Sequence, residues 1–291
     1  MGNISRTEEK MINKSEFNAF EDKVYLITGA AQGIGRELIK QLYKDGAKIF
    51  FTYYQDHDFA QSLKDELLAD DERFSFVEHD ARKMDGVKAI VNRLLEKFGR
   101  IDGLVNNAGY KLDRSFPLMK DEEWEDQMSI NLNSVYKYTR SVILPMIRQR
   151  YGRVINMGAI SGPLISGPYQ VAYGASKAGL IGFTKSLAWE LGPKNINVNL
   201  VTTGMAETNG IKFPPEIRKV WAENIPCRRL ANPSEVASMV KYLLSPLGDY
   251  VTGQNMIIDG GMSLLGFTNF KMLLPNHFRG ETKNIVGSSI E

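Results

Sequence analysis

The sequence predicts a single α/β domain, a parallel sheet covered on both faces by helices. Three observations lead to it. Short β-branched or aromatic runs alternate with helical patterns along most of the chain, an alternation that needs a parallel sheet sandwiched between helices. Most of the strand-like runs end in or near Gly, Asn or Asp, residues that turn a chain out of a strand. No linker, repeat or low-complexity segment divides the 291 residues, and that length suits one large domain of this class.

Taken in order, residues 1–20 are polar without strong periodicity and read as a flexible N-terminal arm. The domain spans 21–262 and residues 263–291 form a C-terminal extension. Strands are expected at 24–29, 48–53, 74–80, 103–109, 153–158, 196–202 and 255–261, and helices near 34–45, 58–69, 84–98, 121–150, 171–191 and 233–245. The last of these helices opens on Asn232-Pro233-Ser234-Glu235, a cap followed by proline in the first turn.

Composition narrows the function. A net charge of +2 gives no electrostatic case for nucleic acid or an anionic membrane. The single Cys227 excludes an internal disulfide and fits a reducing compartment. His57, His79 and His277 form no close cluster with Cys or carboxylates, so no metal site is expected. No apolar run is long enough to span a bilayer and the first twenty residues are unlike a signal peptide, which points to the cytoplasm.

Two stretches carry chemistry. Thr28 to Gly35, TGAAQGIG, sits where the first strand turns into the first helix. Gly29, Gly33 and Gly35 let the backbone turn tightly, approach a pyrophosphate and pack helix on strand, and the helix start offers free N–H groups to phosphate oxygens. The second stretch is VAYGASKAGLIGFTKSLAWEL (171–191), an amphipathic run with Tyr173 and Lys177 four residues apart. At about 3.6 residues per turn that spacing stacks both side chains on one helix face. An ammonium there favours the phenolate and lowers the tyrosine pKa towards the working range, making the pair an acid–base device for an oxygen. At the end of the second strand, Thr52-Tyr53-Tyr54-Gln55 lacks the carboxylate that would bind both ribose hydroxyls. Its absence favours NADP(H) over the alternative, NAD(H), although Gln32 stands where an arginine would grip a 2′-phosphate and no basic residue is evident nearby.

TGAAQGIG, His79-Asp80-Ala81, NNAG (106–109), NLNSVY (131–136), YGASK (173–177) and DGG (259–261) occur in the order and spacing of the short-chain dehydrogenase/reductase family. The resemblance covers about 22–262, and the stretches PCRRLANPSEVA and TGQNMIIDGG look most like 3-oxoacyl-[acyl-carrier-protein] reductases. It implies a Rossmann fold with a seven-stranded parallel sheet and hydride transfer between a nicotinamide and a carbonyl or alcohol carbon. By similarity, Gly29, Gln32, Gly33, Ile34, Gly35 and Tyr53 would surround the dinucleotide. Asp80, beside Ala81, would bind the adenine amino group, and Asn107, Ala108 and Gly109 would floor the adenosine ribose. Asn131 would fix a water that relays protons to Lys177. Lys177 would hold the nicotinamide ribose, and Tyr173 would protonate the substrate oxygen.

Two departures stand out. The serine that usually ends the fifth strand and donates to the substrate oxygen is Ala159, and Ser161 is the nearest hydroxyl that could replace it. The usual Pro-Gly-x-Ile-x-Thr after the sixth strand reads Thr203-Gly204-Met205-Ala206-Glu207-Thr208, which keeps Gly204 and Thr208 for the cofactor. Loss of proline loosens this turn, while Thr203 adds a hydroxyl close to where Ala159 lost one. Residues 205–222 occupy the substrate lid of the family, where Met205, Phe213 and Trp221 either line an apolar pocket or pack on the body. The expected function is reduction of a ketone, a 3-oxoacyl thioester in lipid or polyketide assembly, with a small-molecule or carrier-protein-bound acyl substrate. The alternatives are dehydrogenation of a small alcohol, sugar or steroid, and a catalytically impaired family member kept for binding or scaffolding. The resemblance also implies a homotetramer or homodimer built through 121–150 and 171–191.

Overall fold

The computed structural model describes residues 19–207 and 214–264. Seven strands form one sheet: β1 (Val24–Ile27), β2 (Lys48–Tyr53), β3 (Phe74–Glu78), β4 (Gly103–Asn106), β5 (Gly152–Ala159), β6 (Ile196–Thr203) and β7 (Asn255–Ile258). Their order is β3-β2-β1-β4-β5-β6-β7, and every pairing is parallel. The order reverses between β1 and β4, so a crevice opens at the carboxyl ends of these strands, where α/β sheets bind ligands.

The helices are α1 (Gly33–Lys44), α2 (His57–Glu66), α3 (Val87–Phe98), α4 (Asp121–Met128), α5 (Ser134–Gln149), α6 (Val171–Leu191), α7 (Pro215–Asn224) and α8 (Pro233–Leu244). Alternation along each strand splits the core into two layers. Tyr25 and Ile27 of β1 pack with α1, α2 and α8 through Leu38, Leu42, Leu63 and Val240. Val24 and Leu26 face the other way, onto α3, α5 and α6 through Val91, Leu94, Tyr138, Val142 and Ala188. The expected cap of α8 is present: Asn232 Oδ1 accepts the Ser234 N–H at 3.0 Å and Glu235 accepts the Asn232 N–H at 2.8 Å.

Two elements differ from the sequence reading. The helix expected over 121–150 is interrupted at Ser129–Asn133 by a π-turn that contains Asn131. Such turns shift the register of the hydrogen-bond ladder and re-aim a side chain, and no propensity signal announces them. The 171–191 run is apolar on more than one side: Ala172, Leu180, Ala188 and Leu191 are buried while Val171 and Trp189 are exposed.

The amino end of the sheet is fastened by a buried carboxylate. Asp102, with no solvent exposure, accepts the Val24 N–H at 2.9 Å and two Arg100 N–H groups at 2.9 and 2.6 Å, with Lys23 Nζ 3.7 Å away. Asp102→Ala strips the β1 amide and the Arg100 guanidinium of their acceptor together. It is expected to lower stability by about 3 kcal/mol, read as a fall in denaturation midpoint with the slope unchanged.

Candidate active site

The glycine turn is built by close approach. Gly29 has φ +60, and an added Cβ there would lie 2.8 Å from Ala108 Cα. At Gly35 a Cβ would lie 2.7 Å from Ala30 Cα and 2.8 Å from Asn107 Nδ2. Just past β4, Asn107 Nδ2 donates to the Thr28 and Gly29 carbonyls at 3.0 and 2.8 Å, and the Asn107 and Ala108 amides both donate to Thr28 Oγ1 at 3.0 Å. The NNAG segment thus braces the turn from beneath.

The turn delivers the chain to α1, which starts at Gly33 with no side-chain cap from Gln32 and no acidic residue in its first turn. Among the described residues Gln32 Oε1 is buried without a partner, and Ile34 packs against the core. An uncapped helix start with free N–H groups fits a phosphate-bearing dinucleotide.

At the adenine side, Tyr53 sits in the core rather than in the crevice. It is 5% exposed, packs on Phe76 and meets His57 Nδ1 at 2.7 Å through its hydroxyl. The exposed aromatic is its neighbour Tyr54. Sequence reasoning missed Arg82: its guanidinium donates to Tyr54 Oη at 3.0 Å and grips both Asp80 oxygens, the shortest contact being 2.7 Å. These bonds hold the Asp80 carboxyl below its ordinary pKa, and Ala81 lies between the two charges. A basic residue therefore does stand beside the end of β2, carried there by the β2–β3 pairing. Arg36 is committed elsewhere, to the Ala31 and Phe59 carbonyls, Ser62 and Glu66.

The proton-handling groups converge at the start of α6. Lys177 is buried, and its Nζ donates to the Met157 carbonyl at 2.9 Å. A Cβ on Gly109 would lie 3.7 Å from that nitrogen and 3.6 Å from Asn131 Oδ1, so the three residues share one recess. The Asn131 side chain is engaged at both ends: Oδ1 accepts the Tyr110 N–H at 2.9 Å and Nδ2 donates to the Tyr110 carbonyl at 2.8 Å. These two bonds anchor the loop after NNAG.

Tyr173 is half-buried, its ring centroid 5.8 Å from Lys177 Nζ, and its hydroxyl has no hydrogen-bond partner among the described residues. The expected direction of its pKa is reversed. Burial, with a smaller contribution from the Asp113 carboxylate, pushes the phenol up to about 12, and burial lowers Lys177 to about 8. The ammonium was expected to dominate, but a poorly hydrated cleft disfavours both charged forms.

Ala159 ends β5 in register with Thr203, whose hydroxyl points at the Gly158 carbonyl at 3.5 Å. Ser161 lies beyond the strand, before Gly162, which has φ +99 and presses on the first turn of α6: a Cβ there would lie 2.6 Å from Gly174 Cα. Gly204 packs on β7, its N–H donating to the Ile258 carbonyl at 2.9 Å. Met205 and Trp221 join Ile160, Ile225 and Met262 in a small apolar cluster beside Ser161. Thr208, Phe213, residues 1–18 and most of the C-terminal extension lie outside the described residues. Among the described residues no group of His, Cys, Asp and Glu is arranged to hold a metal ion.

Comparison with known proteins bears on this arrangement. A family model described as enoyl-(acyl carrier protein) reductase matches residues 29–263. The chain is 36% identical to the 3-oxoacyl-[acyl-carrier-protein] reductase of Vibrio cholerae over 246 residues, covering 84% of this chain and 99% of that protein. It is 38% identical to the enzyme of that name from Thermotoga maritima, covering 83% and 98%. Among solved structures, a doubly substituted Serratia marcescens short-chain dehydrogenase/reductase superposes with a TM-score of 0.79 at 27% identity, covering 84% and 99%. A blue fluorescent protein from a metagenomic library, solved in complex with NADPH, superposes with a TM-score of 0.78 at 29% identity and the same coverage. With the glycine turn, the NNAG brace and the Tyr-x-x-x-Lys pair placed around one crevice of a seven-stranded parallel sheet, the chain belongs to the short-chain dehydrogenase/reductase family.

Proposed function

We propose that the protein is an NADP(H)-dependent reductase of 3-oxoacyl thioesters presented on a carrier protein. The observation that carries the reading is the recess shared by Lys177, Asn131 and Gly109 one helical turn from Tyr173. Relatives named 3-oxoacyl-[acyl-carrier-protein] reductase support the substrate class, and the NADPH-bound neighbour together with Arg82 beside Tyr54 supports the cofactor. Bound there, the nicotinamide supplies the hydride. The residues of the chain do the rest: the start of α1 holds the pyrophosphate, Lys177 orients the ribose, and Tyr173 gives its proton to the carbonyl oxygen. We propose Ser161 as the donor replacing the serine lost at Ala159. Ser161→Ala is then expected to lower kcat about 10²-fold with little change in KM, whereas Thr203→Val leaves kcat within about twofold; steady-state kinetics of the pair checks both.

The function is tested by following NADPH oxidation with acetoacetyl and crotonyl thioesters. Turnover of the first alone supports the ketoreductase; turnover of the second alone would move the activity to the double bond named by the family model. Binding of NADPH without turnover of either would favour the scaffolding reading. We also propose a homotetramer or homodimer, supported by Tyr136 and Leu144 of α5 and Val171 and Trp189 of α6, which are large, apolar and exposed. Among the described residues no helix is long and apolar enough to cross a membrane, and we propose a cytoplasmic location.

A further inference from the structure

The segment that leaves the NNAG turn runs as an extended strap beside α4, held by side chains four residues apart on that helix and on the π-turn that follows it. Asn131 takes both the N–H and the C=O of Tyr110, at 2.9 and 2.8 Å. Gln127, fully buried, takes both those of Leu112, each at 3.2 Å. Glu123 grips the Arg114 guanidinium, the shortest contact being 2.6 Å. Four residues of helix rise about 6 Å and two residues of extended chain about 7 Å, so the repeats nearly match and the amide side chains stand in for a neighbouring strand.

An extended chain turns the N–H and C=O groups of alternate residues to opposite edges. With those of Tyr110 and Leu112 spent on α4, Lys111 and Asp113 present theirs at the other edge. Among the described residues no hydrogen bond reaches the backbone of either. Both residues are exposed, and Lys111 Nζ lies 3.1 Å from the Asp113 carboxylate, as side chains two apart on one face of an extended chain do.

The strap borders the proton-handling groups at both ends. Gly109, just before it, shares the recess of Lys177 Nζ, and the Arg114 N–H donates to the Tyr169 carbonyl at 2.8 Å, four residues before Tyr173. The Asp113 carboxylate also adds to the rise in the Tyr173 pKa. Neither the proton transfer nor the dinucleotide proposed above uses the open edge, and such an edge is a template for another amide-bearing chain.

We propose that the Lys111–Asp113 edge is a subsite for the amide-bearing arm that presents an acyl thioester to Tyr173, pairing with the first amide of the arm as an added strand pairs with a sheet. The thioester rests on the function proposed above; the open edge does not. The test compares two acetoacetyl thioesters of equal length: the N-acetylcysteamine ester, which carries one amide, and the S-pentyl ester, in which methylenes replace it. Proline at 111 or 113 removes one edge N–H, whereas alanine keeps it and removes only the side chain.

Wild-type kcat/KM is expected to favour the amide ester about fivefold. The preference is expected to vanish in Lys111→Pro or in Asp113→Pro, whichever N–H meets the amide, and to persist in Lys111→Ala and Asp113→Ala. Equal turnover of the two esters by wild type would overturn the subsite. So would a preference kept by both prolines, or one lost equally in the alanine variant at the same position. Should the proline variants fail to fold, hydrogen exchange in wild type with oxidised NADP decides. There 3-hydroxybutyryl N-acetylcysteamine is expected to slow the Lys111 or Asp113 amide about fivefold relative to the S-pentyl analogue, and equal rates would overturn the pairing. Turnover of neither ester would sink the function proposed above and this subsite with it, whereas equal turnover of both sinks the subsite alone.

Discussion

Replacing Tyr173 by phenylalanine is expected to lower kcat for ketone reduction by about 10³-fold or more while leaving NADPH affinity within about twofold. The hydroxyl is the one group at this position that can give a proton to an oxygen, and it has no hydrogen-bond partner among the described residues. For the same reason the melting temperature is expected to hold or rise slightly, because removing an unpaired hydroxyl from a half-buried cleft leaves no orphaned partner behind. Loss of activity without loss of stability is the signature that separates a chemical role from a structural one. A phenol held at about 12 stays protonated across the accessible range, which suits an acid in the reducing direction. The pH profile of reduction should therefore be level at neutral pH and fall above about 8, where Lys177 gives up its proton. A profile falling instead with a midpoint near 6 would place another group in charge. A Tyr173→Phe enzyme within tenfold of wild type would remove the phenol from the mechanism.

How far the sequence alone could reach follows from the range of each determinant. The glycine turn and the four-residue spacing of Tyr173 and Lys177 are local, and local spacing converts directly into geometry once strand and helix are recognised. The seven strands and their alternation with helices were readable for the same reason, the strands to within three residues at the ends. What failed was whatever depended on register or burial. Arg82 is near Tyr54 only because β3 lies beside β2. The Tyr173 pKa was misjudged because spacing reveals the neighbouring ammonium but not the depth of the cleft, nor Asp113, sixty residues earlier. Tyr53 and Tyr54 are adjacent and indistinguishable by composition; the pleat sends the first into the core and leaves the second exposed. The π-turn at Asn131 carries no propensity signal, yet it is what directs that side chain onto Tyr110.

Lys177→Met should destroy activity and stabilise the protein. The lysine is buried, its Nζ donates to the Met157 carbonyl as its one hydrogen-bond partner among the described residues, and burial drops its pKa from the ordinary 10.5 to about 8. At neutral pH the ammonium is thus about 3 kcal/mol less favourable in the fold than in the unfolded chain, each tenfold in proton affinity being worth about 1.4 kcal/mol. Methionine removes that penalty, keeps most of the packing volume and forfeits one hydrogen bond worth about 1 kcal/mol, leaving a net gain of about 1–2 kcal/mol. For a chain of this size the melting temperature should rise by about 2–4 °C. The sign of its pH dependence is fixed: the folded pKa lies below the unfolded one, so the wild-type penalty is fully present below about 8 and disappears as pH rises towards 10.5. The stability gap between Lys177→Met and wild type should therefore close over that interval in paired thermal melts. A variant less stable than wild type at pH 7, with a gap that does not change with pH, would mean that the ammonium is stabilised in the fold by partners other than Met157. With the predicted gap and no turnover, Lys177 would be a group the fold keeps at the expense of its own stability, as expected of a residue retained for chemistry rather than for packing.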